Sequence, residues 1–492
     1  MLCFAQAQGR IALAPYCCLG LSALVIFLII NQNIIEGLSA IYGQIISQET
    51  VMRKTFSFLA AFSFLLASAA QVNAGALSEL SGQAGVKVSA PAKASIPAVS
   101  APAVKVSAPK PAEKEQQAEW LVMVYIAGVN NLGLFGAASN NVNQMEKGLY
   151  EAGAAASSIK MVVEYGELAS DGLGTLQIAD GTKTLLVQPD NDFDNVNSKV
   201  IGISKNADTG NVRTLENFVR RVKSRFPAKK TALIIWNHGG GIVGIASDDL
   251  HGSMMNLKNL SATLKKLKGQ FGKFDVLATD ACLMQMASIA YEFKDYADVI
   301  IGSEQPIPGA GYPYYGMVRA LAESGSRMSA KDFGAMLVEG YGYQYSGKSD
   351  TSLSAIDVSK LPVFKNKLNK WIGLLSEQEN FKIVSKAAVL KEVTRMNSLD
   401  SSRDLVHMIQ VVNRQTGVSL AAKAAGDDLQ NYIKQVLIIR NYSSEPDNYG
   451  LAIYLPDLTY EANPYETLKF SADTDWSIFI RKILQSRLDN GW

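Results

Sequence analysis

The chain has 492 residues, 48% hydrophobic and 19% charged, so it can bury the cores of roughly two to four domains and is not a wholly disordered chain. Its 47 basic and 45 acidic side chains nearly balance, which excludes nucleic acid as the main partner. Three histidines and four cysteines exclude a disulfide scaffold and a histidine-rich metal enzyme.

The first apolar stretch, Ile11 to Ile30, is broken by Pro15. It would be a membrane anchor if residues 1–51 are translated, but an export signal starts later, at Met52. Arg53 and Lys54 supply the positive start, Phe56 to Leu66 the apolar stretch, and Val72-Asn73-Ala74 the small residues that a signal peptidase reads. This stretch is too short to span a bilayer, which takes about 18–20 apolar residues. The expectation is a signal peptide over 52–74, with residues 1–51 a misassigned start or an N-terminal extension. The product would be secreted or held in the cell envelope, meeting the membrane only transiently during export. Cys3, Cys17 and Cys18 would leave with the leader. Cys282 would remain as the single thiol of the exported form, with no intramolecular disulfide partner.

Residues 75–118 are rich in Ala, Pro, Val, Ser and Lys, and Val-Lys-Val-Ser-Ala-Pro occurs twice, at 86–91 and 104–109. Spaced prolines without aromatics read as an extended tether or pro-segment. From Trp120 the pattern changes. Trp120–Ala127, Ile159–Tyr165, Thr231–Trp236, Phe274–Ala278 and Ala297–Gly302 are apolar runs expected to be strands buried on both faces. Helix-period stripes lie between them: Leu215, Phe218, Val219 and Val222; then Leu257, Leu260, Leu264 and Leu267; then Met286, Ile289, Ala290 and Phe293. This alternation predicts an α/β fold, a mostly parallel sheet with helices on both faces. The stretch Gly174–Gln188 suggests a hairpin about Asp180-Gly181 at an edge of that sheet. After about residue 325 the chain is more helical, with strands expected at Ser352–Ile356 and Gly450–Leu455.

Open parallel sheets bind ligands outside the carboxyl ends of their strands. One predicted strand runs out into Asn237-His238-Gly239-Gly240-Gly241 and another into Thr279-Asp280-Ala281-Cys282. Cys and His together suit nucleophilic acyl transfer, in which a thiolate attacks a carbonyl and an imidazole carries the proton. Backbone N–H groups of Gly239 and Cys282 are candidate donors to the oxyanion. The helix after Cys282 is expected to aim its positive end at the thiol and lower its pKa. The plainer alternatives are a buried inert cysteine and a histidine satisfied in a turn. A phosphate cradle is disfavoured because no Lys-Ser/Thr follows the glycines.

These two motifs, with Asp280-Ala281-Cys282-Leu283-Met284 read in full, resemble those of the clostripain family of cysteine peptidases, which has a caspase-like fold. His238 and Cys282 stand 44 positions apart, similar to the caspase-type spacing of about 50. Trp120–Tyr125 with Asn130-Asn131-Leu132, Ser303-Glu304 with Pro308-Gly309, Gly450–Pro456 and Trp476 resemble further family segments, so the likeness covers about 120–490. It implies a caspase-like catalytic domain over 119–345 and a C-terminal α+β part of the same peptidase unit over 346–492. It also implies His238 as base and acid, Cys282 as nucleophile, and Gly239 as oxyanion donor. Asp280 would bind a basic P1 side chain. Val129, Ala310 and Ile242 stand where the family often has Asp, an acid and Trp, and they bear on P1 selectivity.

The implied activity is a secreted cysteine endopeptidase acting on protein or peptide substrates after Arg or Lys, and processing itself. Lys258, Lys265, Lys266 and Lys268, or Lys87, Lys93, Lys105, Lys110 and Lys114 in the tether, are the expected cut sites, with Lys258 or the tether favoured. The rival is a catalytically silent binding protein of the same fold at the cell surface. No cofactor is required. Calcium, which some clostripain relatives need, stays open. Asp190, Asp192 and Asp194 alternate as in a calcium loop, but Asn195 and Ile201 stand where an EF-hand needs Gly and an acid. His251 and His407 have no metal-ligand spacing, and no metal site is expected. Gly-x-Ser-x-Gly and His-Glu-x-x-His motifs are absent from the sequence.

Overall fold

The apolar run at Trp120 forms β1 (Ala118–Gly128), whose side chains are buried on both faces. The computed structural model describes residues 117–490 apart from 171–175, 179–180, 397–400 and 458. The expected extension, signal peptide and all but the last two residues of the tether therefore lie outside the described residues. The helices α1 (Asn131–Leu134) and α2 (Ala137–Ala152) follow, then β2 (Ile159–Ser170). After β3 (Leu176–Ile178), β4 (Thr182–Leu186) and β5 (Lys199–Ser204) come α3 (Val212–Arg225) and β6 (Ala228–Trp236). A small hairpin, β7 (Ile245–Asp248) and β8 (Ser253–Met255), leads to α4 (Leu257–Phe271) and β9 (Phe274–Asp280). Next are α5 (Ala287–Phe293), β10 (Ala297–Gly302), α6 (Tyr314–Ser324), α7 (Ala330–Gln344) and β11 (Ser352–Asp357). The C-terminal part adds α8 (Leu361–Leu375), β12 (Ser402–Asp404), α9 (Leu405–Arg414), α10 (Leu420–Tyr432), β13 (Ile438–Ser443), β14 (Ala452–Tyr454) and α11 (Trp476–Asp489).

Among the described residues the main sheet has the order β13-β11-β10-β9-β6-β1-β2-β4-β5. Its five central strands, β10, β9, β6, β1 and β2, are parallel. Alternation along β1 divides the core. Leu121, Met123 and Tyr125 pack with the Leu215–Val222 stripe of α3 and the leucines of α4. Trp120, Val122 and Val124 pack with α2, α6 and α7 through Val142, Met317 and Leu337. The helices start where side chains replace missing backbone acceptors: Asn211 caps α3 and Asn256 caps α4. The predicted α/β architecture with helices on both faces is thus observed.

Two features differ from expectation. The expected hairpin about Asp180-Gly181 is not formed: β3 and β4, on either side of it, both pair antiparallel with β2 and not with each other. Nor is β4 an edge, because β5 lies outside it. The sheet also runs on past residue 345. β11 pairs with β10, β13 pairs with β11, and all described residues fall in one compact unit. No helix among the described residues is long and apolar enough to cross a membrane.

Candidate active site

β6 and β9 are neighbours, and their last paired residues are Trp236 and Asp280. His238 and Cys282 each stand two residues beyond that pair, so parallel pairing carries both to the same carboxyl rim. The loop after β6 is tied from two sides. Asn237 Nδ2 donates to Ser247 O at 2.7 Å and to Ala127 O, and Asn130 Nδ2 donates to the same carbonyls at 3.2 and 3.0 Å. The ends of β1, β6 and β7 are thereby held together around His238, whose carbonyl accepts from Ala246 N–H at 3.1 Å. His238 Nε2 lies 2.6 Å from Asn131 Oδ1. Burial holds the imidazole pKa below its ordinary value, and Asp249 opposes this more weakly.

Cys282 is half-buried and unpaired with any other cysteine. Its Sγ accepts from Ile307 N–H at 3.2 Å. Burial pushes the thiol pKa up. The Ile307 N–H works against that, as do the N–H groups of Cys282 and Gly239, while Asp280 adds to it. The expectation of a thiol acidified by the next helix is therefore corrected. α5 begins only at Ala287 and has seven residues, and the loop carrying Ile307 removes the thiol from water. Leu283, directly after Cys282, has φ +64°, and Ala246 beside His238 has the same value. Both are strained for non-glycine residues, and both flank the site. The Gly239 N–H also hydrogen-bonds the thiol. Among the described residues no hydrogen bond joins His238 to Cys282, and a cavity of about 490 Å³ lined by Lys273, Lys294 and Lys331 lies away from both.

Asp280 is buried at 3% exposure. Its Oδ2 accepts from Tyr312 N–H at 3.0 Å and from the Tyr314 hydroxyl at 2.9 Å. Its Oδ1 is buried without a hydrogen-bond partner. Gly311, at φ +66°, passes so close that a Cβ there would lie 2.7 Å from Oδ2. Burial, opposed by these hydrogen bonds, pushes the carboxyl pKa up to about 7. An unfolded Asp titrates near 4, so between about pH 4 and 7 the folded state holds the extra proton. Folding gains from this at low pH, and the gain drains away as pH rises through 7. The urea midpoint of the uncut Cys282→Ala chain is expected to fall between about pH 5 and 8, and less so with Asp280→Asn added, by on the order of a few kcal/mol. An equal slope in both chains would refute this assignment.

The loop after β10 is anchored by the C-terminal part. Gln285 N–H donates to Ser303 O at 2.9 Å, and Ala452 N–H donates to Gln285 O at 3.0 Å. Glu304 Oε2 accepts from Gly450 N–H at 2.7 Å, and Asp404 Oδ2 accepts from Tyr449 N–H at 2.7 Å. Glu304 and Asp404 are fully buried and interact with each other. Burial raises both pKa values, as a pair sharing one proton requires. Sequence reasoning missed this clamp and the Ile307 contact, although the Ser303-Glu304 match pointed at the loop.

Among the described residues the remaining candidates make no hydrogen bond to His238 or Cys282. Asp190 and Asp192 take N–H bonds from Asn191, Asp194, Asn195 and Asn197, the pattern of a closed acidic turn and a poor fit for calcium. Asp208, Asp248 and His251 have ligand atoms within 4.8 Å of one another, but Thr209, Ser253 and His251 already bond the two carboxylates. His407 is buried and bonded to Thr394. Ala310 is exposed and brings no second acid near Asp280.

The model of the clostripain family, peptidase C11, matches residues 124–483. Clostripain from Hathewaya histolytica is 22% identical, with the match covering 53% of this chain and 60% of that protein. The chain thus spans about 60% of the length of that curated relative. A secreted C11 cysteine protease from Bacteroides thetaiotaomicron, solved with an irreversible peptide inhibitor, superposes with a TM-score of 0.55 at 21% identity, covering 73% of this chain and 99% of that one. An inactive zymogen C11 protease from Parabacteroides distasonis gives 0.54 at 19%, with the same coverage. At these identities the superpositions show a shared fold.

Proposed function

The chain belongs to the clostripain family of cysteine peptidases, and we propose that it is a secreted endopeptidase working through Cys282 and His238. The observation that carries this reading is the β6–β9 register, which sets both residues two positions past the Trp236–Asp280 pair. His238 takes the thiol proton as sulfur attacks the scissile carbonyl. The carbonyl π electrons move onto oxygen, which the N–H groups of Gly239 and Cys282 receive. Collapse expels the amine, which takes the proton from His238, and leaves a thioester. Water, deprotonated by His238, then releases the acid and restores the thiol. A peptidyl acyloxymethyl ketone is expected to label Cys282 and no other site in the exported chain. A fully processed chain that resists labelling would favour the silent binding protein.

In this structure the thiol is held by Ile307 and shielded, which supports reading it as a latent state opened by cleavage. Lys258, Lys265, Lys266 and Lys268 all lie within α4. A peptidase needs an extended backbone, so the tether lysines Lys87, Lys93, Lys105, Lys110 and Lys114 are the better substrates. Exported wild type is expected to begin after one of them. Cys282→Ala should begin near Gly75 or Ala76, where the leader from Met52 ends. N-terminal sequencing of both decides. Identical starts would count against self-processing, and an intact Met1 against the leader.

P1 selectivity is proposed to rest on Asp280. Its unpartnered Oδ1 is a buried acceptor that an Arg or Lys side chain could meet once the 308–311 loop moves. Pairing a desolvated carboxylate with a cation contributes about 2–3 kcal/mol, or roughly 30–160-fold in kcat/KM. Asp280→Asn should lose that factor on Arg and Lys substrates and little on neutral ones, measured with a P1 library. Equal losses across the library would sink the assignment. The hydrolysis as written needs no cofactor.

A further inference from the structure

Asn131 is the first residue of α1 and exposed, yet its side chain reaches the catalytic ring: Oδ1 lies 2.6 Å from His238 Nε2. Its position is determined by its neighbour. Asn130 caps α1 by accepting from Leu132 N–H at 2.9 Å and binds Ala127 O and Ser247 O through Nδ2. Asn237, next to His238, binds the same two carbonyls. The two asparagines thus fasten the start of α1 and the His238 loop to one pair of acceptors, which brings Asn131 to the ring.

An amide oxygen only accepts, so the nitrogen it meets must carry the proton. We infer that Asn131 is a positioning residue that keeps His238 as the Nε2–H tautomer, leaving the Nδ1 lone pair to receive the Cys282 proton. This rests on the cysteine-peptidase reading. After the transfer the imidazolium keeps its Nε2–H bond to Asn131 and holds the new proton on Nδ1, the atom that returns it to the leaving amine. The acceptor's neutrality matters. A carboxylate here would orient the ring equally well but would stabilise imidazolium and hold back the proton that the amine needs. Asp249, from the turn after β7, is the charged group that acts on the ring in this structure, and its effect is smaller than that of burial. Asn131 adds direction without adding charge.

Histidine-selective ¹⁵N labelling of the full Cys282→Ala chain tests this without catalysis. Only His238, His251 and His407 give signals, and His238→Ala assigns the one of interest. The expected spectrum at neutral pH shows His238 protonated on Nε2. In Asn131→Ala the signal should move toward a mixture of tautomers, and in Asn131→Asp the His238 pKa should rise by about one unit or more. In the Cys282 enzyme, Asn131→Ala should lower kcat/KM roughly 10–100-fold, and Asn131→Asp should move the acid limb of its pH profile upward by the same amount as the pKa. Protonation on Nδ1 in the wild-type sequence, as a reversed Asn131 amide would give, overturns the inference. So does a tautomer unchanged in Asn131→Ala. A correct tautomer in a chain that never cleaves peptides would instead overturn the peptidase reading and leave the Asn131 contact standing.

Discussion

Cys282→Ala is expected to abolish peptide hydrolysis, by at least roughly 10⁴-fold in kcat, while the chain folds as before. The substitution removes one sulfur from a half-buried position and its weak hydrogen bonds, among them those with Ile307 N–H and Ile307 O. The loop that carries Ile307 keeps its other anchors, among them Leu283 N–H to Gln305 O at 3.3 Å and Gln285 N–H to Ser303 O at 2.9 Å. Stability should therefore change by less than about 1 kcal/mol. His238→Ala should lose activity to a similar extent. The double variant should be little worse than either, because base and nucleophile act as one unit. Steady-state rates on a peptidyl substrate and urea midpoints measure the two halves. Full turnover by either purified variant would remove these residues from the mechanism.

Gly239→Ala should be nearly as damaging, for a different reason. A Cβ at Gly239 would sit 2.2 Å from the Cys282 carbonyl oxygen, 3.0 Å from Met284 Cγ and 3.1 Å from Ala281 Cβ. The first of these is backbone and cannot swing aside, so the loops after β6 and β9 must part. One methyl group then displaces the nucleophile, an oxyanion donor and the base together. A loss of about 10²-fold or more in kcat/KM is expected, since a shift near 1 Å is enough for that. The destabilisation should be about 1–3 kcal/mol. Gly240→Ala is the internal control. Its Cβ would meet nothing closer than Val243 Cβ at 3.5 Å, and its φ of −121° suits any residue. It should keep most of the activity. Equal losses in both variants would show that general loop stiffness, and not the contact with Cys282, is being measured.

The parts of this molecule that were legible in the sequence are those that local pattern determines. Trp120–Ala127 and Ile234–Trp236 are apolar at every position because both faces of their strands are covered, and such runs announce central parallel strands. Leu215, Phe218, Val219 and Val222 announce a helix by spacing alone. His238 and Cys282 were legible because two rare residue types follow two such runs. What stayed hidden depends on which distant segments meet. β5 and β13 have partly exposed side chains and weak alternation, so nothing in 199–204 or 438–443 separates them from loop. The hairpin was misplaced because Asp180-Gly181 has turn chemistry, yet the strands on either side of it, β3 and β4, both pair with β2. The acidity of Cys282 was read with the wrong sign. The helix nearest in sequence suggests a lowered pKa, while burial of the thiol raises it and the Ile307 N–H, 25 residues away, only partly offsets that. Asp280 was found as a carboxylate at a strand end. Its burial beneath Tyr312 and Tyr314 is visible only in three dimensions.

The clamp between the catalytic loop and the far end of the chain has a consequence for synthesis. Ribosomes deliver a chain from its N-terminus at about 5–20 residues per second, and early segments begin to fold before late ones exist. β6 and β9 can pair once Asp280 has emerged, so both reactive side chains stand on the nascent chain early. But Gln285 waits for Ala452, Glu304 waits for Gly450, and the outer edge of β10 stays unpaired until β11 arrives. At those rates some 170 residues, from Cys282 to Ala452, take roughly 10–30 seconds to appear. Through that interval the loop over the thiol lacks its anchors to the C-terminal part. A broken message or a stalled ribosome then yields a fragment that holds both reactive residues on an unfinished scaffold. In this fold the surroundings of the thiol are completed only by the last segments to be made.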